Sequence, residues 1–239
     1  MSKASFRFHG ELSDFLAPAN RSKVFEFACA RAATLKNAIE ALGVPHTEIG
    51  ALSVNGAPAT LQRTVREGDA IEVHPWRARE SGARPDFRGE CVFVADAHLG
   101  GLARFLRMLG FDTLYRNSFS DEEIRRLAEE ERRTVLTRDR ELLKCREIAC
   151  GCYVHTLKPE AQLREVAARY GLAARAKPFT LCLCCNLPLQ PVDKAQVAAR
   201  VPEKVLLVQE VFSCCCGCER VYWPGSHYQR MRAAIQGLL

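Results

Sequence analysis

Two sets of side chains in this sequence have the types and the spacing to do chemistry. Cys182-Leu183-Cys184-Cys185 and Cys215-Cys216-Gly217-Cys218 each contain a C-x2-C pair. Two such pairs offer Cys182, Cys185, Cys215 and Cys218 as four thiolates, the donor set that holds zinc tetrahedrally in ribbons and knuckles. The stretch between the pairs, 186–214, exceeds the roughly 15–20 residues of the usual pattern. Within it, 204–212 reads as a strand that packs beside the site. Cys184, Cys214 and Cys216 offer alternative registers for the same ion.

The second set is acidic. Asp96 directly follows the apolar run 91–95, Asp139 follows 134–137, and Asp121, Glu122 and Glu123 open the helix after the strand that lies between these two in sequence. Clustered carboxylates repel one another unless a cation sits among them, and hard oxygen ligands select Mg²⁺ or Mn²⁺. Such ions activate water and neutralise a phosphodiester during in-line displacement. Arg104 and Arg107 lie three apart on the helix after Asp96 and so share a face from which guanidinium groups can grip phosphates. Taken singly, each acid is also what a helix N-terminus prefers, and an Arg pair is commonly a solvated face. Position at one sheet edge is what favours the chemical reading.

The elements needed to bring these acids together are legible. Residues 91–95 form a short continuous apolar run, as in a strand buried on both faces. A helix over 99–109 stops at Gly110, and a strand over 111–115 follows. Ser120 to Glu123 is a capping box opening a helix over 124–132. Then come a strand at 134–137, a short helix at 140–145, a strand at 153–157, and a helix that Pro159 begins. This alternation implies an α/β domain whose parallel strands carry the acids at their carboxyl ends. Asp112 falls at the opposite edge.

Ahead of this domain, 6–8 and 24–27 alternate as half-buried strands. Thr34 caps a helix carrying Leu35, Ala38, Ile39 and Leu42, and Asn55-Gly56 and 66–69 are turns before a strand at 70–73. Two hairpins on one helix make a small α+β β-grasp domain. The division expected is therefore 1–78 β-grasp, 79–90 linker, 91–177 α/β domain and 178–239 ribbon and C-terminal segment.

Composition narrows the classes. The chain has 239 residues, net charge +6 and 12 cysteines, with ordinary apolar and charged fractions. No run approaches the roughly 18 apolar residues of a membrane span, and the first residues lack the apolar core of a secretory signal. A cytoplasmic protein is expected, with its cysteines used for metal rather than disulfides. The positive charge is spread evenly and is compatible with RNA without demonstrating it. Cys145, Cys150 and Cys152 read as packing residues. The aromatic segment 221–228, which contains His227, either stacks on unpaired bases or covers a ribbon core.

At this point the chain resembles a known family, the Mut-seven C-terminal RNase domain. The resemblance runs through Phe93-Val94-Ala95-Asp96-Ala97-His98-Leu99-Gly100-Gly101 and on to Asp112-Thr113, then Leu136-Thr137-Arg138-Asp139-Arg140. It continues in Cys182-x2-Cys185-Asn186 and Cys215-x2-Cys218, followed by 221–227. It implies a PIN-like nuclease fold with a zinc ribbon and metal-dependent RNA cleavage. Asp96 and Asp139 match the family's acidic positions, and Asp121 is the nearest match to a third. The first region resembles the ubiquitin-like domain fused to such nucleases, which is related to small sulfur carriers. Those end in Gly-Gly, whereas 71–76 runs onward without one. The resemblance thus implies a docking or RNA-positioning role, with a protein partner, rather than sulfur carriage. The competing class is a non-catalytic RNA-binding or adaptor protein on the same fold.

Overall fold

The computed structural model describes residues 1–76, 91–226, 228, 229 and 233. The linker expected over 79–90 and His227 lie outside the described residues.

The first elements are β1 (Ser2–Phe8), β2 (Phe25–Cys29), α1 (Leu35–Ala41), β3 (Ile49–Val54), β4 (Ala57–Pro58) and β5 (Ala70–Pro75). Alternation in β1 and β5 turns Ala4, Phe6, Phe8, Ile71 and Val73 inward, where they pack against Leu35 and Ile39 of α1. Thr34 accepts the Asn37 N–H at 3.2 Å to begin α1. Asn55 and Gly56 both take positive φ, 52° and 79°, which the two-residue turn between β3 and β4 requires. The strands run in the order β2-β1-β5-β3-β4. Only β1 and β5 pair in parallel, the others being antiparallel. This is the expected β-grasp sheet.

Strands and helices then alternate: β6 (Phe93–Ala95), α2 (Gly100–Met108), β7 (Thr113–Tyr115), α3 (Asp121–Glu130), β8 (Thr134–Thr137), α4 (Arg140–Lys144), β9 (Gly151–Tyr153) and α5 (Pro159–Tyr170). β6 pairs with β7 and β8 with β9, both in parallel. Every residue of β6 and of β8 is buried, and in β6 this is the reason the sequence is a continuous apolar run. The last elements are β10 (Leu189–Val192), α6 (Lys194–Val197), α7 (Glu203–Leu206), β11 (Phe212–Cys215) and β12 (Val221–Tyr222). The strands β10-β11-β12 form an antiparallel sheet.

The chain forms two compact units. One comprises Met1–Glu90 with Phe119–Val154, the other Cys91–Ser118 with His155–Leu239. In the first, the β-grasp sheet is closed against α4 and β9. His46 is hydrogen-bonded to Glu40 at 2.8 Å and to the Ile148 carbonyl at 2.9 Å. Phe15 meets Tyr153 edge-on at 5.1 Å, with the Arg140 guanidinium over the Phe15 ring. In the second, α2 lies against α5, and Phe93 meets Phe111 and Tyr170 edge-on.

Three sequence expectations are corrected. The strand expected at 204–212 is instead the short helix α7 followed by an exposed segment. Leu207, Val208 and Val211 are 76%, 72% and 68% exposed, and of this run Phe212 alone, the first residue of β11, lies in a sheet. The strand expected at 153–157 ends at Tyr153. Beyond it the N–H groups of His155 and Thr156 donate to Glu165 of α5 at 2.8 and 3.0 Å rather than to a ladder. The strand expected at 111–115 begins at Thr113.

Candidate metal centre and acidic strand ends

The sulfur atoms of Cys182, Cys185, Cys215 and Cys218 all lie within 4.8 Å of one another, and those of Cys182 and Cys218 are 3.6 Å apart. Four sulfurs at about 2.3 Å from a tetrahedral zinc stand about 3.8 Å from each other, so the donor set and its span fit that ion. The two knuckles are built alike. Cys182 and Cys215 each accept a backbone bond from the residue four on, Asn186 at 3.0 Å and Glu219 at 2.8 Å. Asn186 and Glu219 both take positive φ, 64° and 57°, turning the chain back after the second cysteine. Cys184, Cys214 and Cys216 lie outside this group of four. Arg220 donates to Cys184, and Arg200 donates to Cys214 at 3.7 Å.

The electrostatics of the four thiols favour a cation. Burial opposes ionisation of Cys182, but the Tyr222 hydroxyl, donating at 3.1 Å, and the Cys185 N–H at 3.4 Å outweigh it and hold that thiol down to about 6. The hydrogen bond with Cys218, followed by burial and the charge on Cys182, pushes Cys185 up to about 12. One thiolate therefore suppresses its neighbours, and only a positive ion among them allows all four to ionise.

The first knuckle is tied to the α/β elements of its own unit by a polar clamp. Arg107 on α2 was expected to face a phosphate. Its guanidinium is instead buried, the residue being 4% exposed, and donates to the carbonyls of Thr113 at 2.9 Å, Leu183 at 3.0 Å and Cys184 at 2.8 Å. The correction has a simple cause: the helix face shared with Arg104 ends beneath the ribbon, where three carbonyls need donors. Arg104, three residues earlier, is exposed. Asn186 completes the clamp, donating to Asp112 at 2.5 Å and accepting the Thr113 N–H at 2.9 Å. Sequence reasoning missed this pair and Tyr222. A polar residue directly after a knuckle cysteine was the one available signal.

The acids stand at strand ends. Asp96 follows β6 and accepts the Ala97 N–H at 2.6 Å. Asp139 follows β8 and accepts the N–H groups of Glu141 at 2.7 Å and Leu142 at 3.3 Å. Asp121 begins α3, exposed, beside a capping box in which Ser120 and Glu123 bond reciprocally. That box occupies Glu123, which leaves Asp121 and Glu122 as the outward acids of the first turn. Asp96 belongs to the second unit, and Asp121 and Asp139 belong to the first.

A β-grasp module followed by an α/β domain with parallel strands and a four-thiol ribbon defines the class. Residues 91–235 match the Mut7-C RNAse domain, and residues 1–81 match the Mut7-C ubiquitin domain. The chain belongs to the Mut7-C RNAse domain family, preceded by that family's ubiquitin-like domain. No curated protein matches. Among solved structures, H. volcanii small archaeal modifier protein 1 matches at 18% identity and a TM-score of 0.26, over 31% of this chain and 98% of that one.

Proposed function

We propose that the chain is a divalent-metal-dependent ribonuclease with a structural zinc ribbon. The match of residues 91–235 to the Mut7-C RNAse domain carries this reading. Asp96 and Asp139, with Asp121, are the residues proposed to hold Mg²⁺ or Mn²⁺, since hard cations take carboxylate oxygens. Bound there, such an ion supplies a Lewis acid and an activated water for phosphodiester hydrolysis. The protein's own part is positional. Asp96 and Asp139 each follow a parallel strand and Asp121 opens α3, and the carboxyl ends of parallel strands are where open α/β sheets receive ligands. The caps made by Asp96 and Asp139 hold those side chains in one orientation. Arg104 is the proposed phosphate contact.

The ribbon supports RNA as the substrate. A cavity of about 440 Å³ is lined by Phe179, Leu183, Tyr222, Trp223 and Tyr228, a surface on which an unpaired base can stack. The β-grasp module is proposed to engage a protein partner. A reducing cytoplasm fits a chain whose cysteines form no disulfide among the described residues, and no helix among those residues is long and apolar enough to cross a membrane.

The test is RNA cleavage by purified protein with each divalent ion, alongside Asp96→Asn and Asp139→Asn. Cleavage lost in both variants supports the reading, and equal cleavage by all three proteins overturns it. One observation favours the second reading, a non-catalytic RNA-binding adaptor. Asp96 and Asp139 both act as helix caps, which needs no metal. Tight, salt-sensitive RNA binding without turnover in any ion would select it.

A further inference from the structure

The solvent-facing side of the β-grasp sheet holds a cluster that neither the ribonuclease reading nor the ribbon uses. β1 and β5 run in parallel with Arg7 beside Glu72 and Phe8 beside Val73. The His9 N–H continues the ladder by donating to the Val73 carbonyl at 2.9 Å. Because side chains alternate along a strand, Phe8 and Val73 enter the core while His9, Glu72 and His74 share the opposite face. The two imidazoles stack with centroids 4.0 Å apart and planes 5° from parallel.

We propose that His9, Glu72 and His74 form a second metal site, taking a borderline divalent transition ion such as Zn²⁺. One ligand atom from each residue lies within 4.8 Å of the other two. In a tetrahedral site, ligands about 2.0–2.2 Å from zinc stand about 3.3–3.6 Å apart, so the two imidazoles close on an ion by rotating out of their stack until their in-plane nitrogen lone pairs converge. The second observation concerns His9 Nε2. It is buried and has no hydrogen-bond partner, although it points toward Glu72 Oε1 at 3.9 Å, too far for a hydrogen bond. A ring nitrogen sealed from water beside a carboxylate is satisfied by an ion between them.

Two imidazoles and one carboxylate are a set that suits zinc, copper or nickel and not magnesium. Glu72 is 46% exposed at its side chain, so water completes the coordination and the ion exchanges. Arg7, on the same face, adds positive charge and moderates the affinity. The site differs in kind from the four-thiol cluster, which buries its ion among sulfurs.

The experiment uses the full chain with its ribbon thiols loaded, titrated with Zn²⁺ by calorimetry and with Co²⁺ by absorption. The expected result is a further equivalent of metal with a nitrogen–oxygen rather than a thiolate spectrum. His9→Gln and His74→Gln each weaken that binding by at least about tenfold, the scale already found for groups one shell further out. Imidazole signals of His9 and His74 in the wild-type chain shift on adding zinc, a readout independent of variant folding. No uptake beyond the ribbon ion, unshifted imidazole signals, or variants that bind the further ion as tightly as wild type would overturn the proposal.

Discussion

The buried carboxylate of Glu48 accepts the backbone N–H of Tyr153 at 2.8 Å across 105 residues of sequence. A ubiquitin-like module on a tether would present this edge to solvent. Here Glu48 reaches the last residue of β9, while His46 bonds the Ile148 carbonyl two residues away. The Trp76 N–H donates to the Glu48 carbonyl at 2.8 Å, so the end of the β-grasp sheet and β9 meet at one residue. The consequence is shared stability within this unit. Glu48→Ala leaves a buried N–H without its partner and is expected to destabilise by roughly 1–3 kcal/mol. Hydrogen exchange should report faster opening of both the β-grasp sheet and 134–153. Exchange confined to one of them would refute the coupling.

Arg107 and Arg104 share a helix but are expected to fail differently. Arg107→Ala abandons three carbonyls and should cost more than about 2 kcal/mol, loosening 182–186 in hydrogen exchange. Arg104→Ala, at an exposed position, should change stability by less than about 0.5 kcal/mol. It should instead weaken RNA binding uniformly and reduce the salt dependence by about one phosphate contact. Denaturant titration and RNA binding at several salt concentrations separate the two.

Asp69 sets an acid limit on the β-grasp sheet. Its buried carboxylate accepts from Arg63 at 2.7 and 3.1 Å, from the Arg66 N–H at 2.9 Å and from Asn55 at 3.1 Å. The Arg63 hydrogen bonds are the main cause holding it below the usual carboxylate range. A carboxyl depressed on folding stabilises above its unfolded value, and that contribution is lost as pH falls through the folded value. Wild type should therefore lose more stability than Asp69→Asn between about pH 5 and pH 2. Parallel pH slopes in urea unfolding would show that this group is not responsible.

Zinc should be present as one tightly held ion on Cys182, Cys185, Cys215 and Cys218. Elemental analysis of Cys182→Ser and Cys218→Ser is expected to show its loss, together with lower solubility and faster exchange over 178–226. Cys184→Ser and Cys216→Ser, outside the cluster, should retain it. The β-grasp sheet should stay folded in all four. Among the described residues the ribbon's apolar core around Val197, Val201 and Phe212 is small, so metal binding is expected to supply much of its folding free energy.

The residues by themselves determined the knuckles, the capping box at Ser120, the Asn55-Gly56 turn, and the strand ends carrying Asp96 and Asp139. Each rests on local geometry, a fixed spacing or a period that a few neighbouring residues fully specify. Tertiary structure decided the rest. Arg107 and Arg104 look equivalent on a helical wheel, and only the ribbon lying over one of them makes it a clamp. The run 204–212 has strand composition, but of it Phe212 alone joins a sheet, as the first residue of β11, and a short helix and exposed apolar residues precede it. His9, Glu72 and His74 come together because β1 pairs in parallel with β5, a pairing between segments more than sixty residues apart. Long-range pairing is absent from any local pattern, because its free energy comes from burying both partners at once.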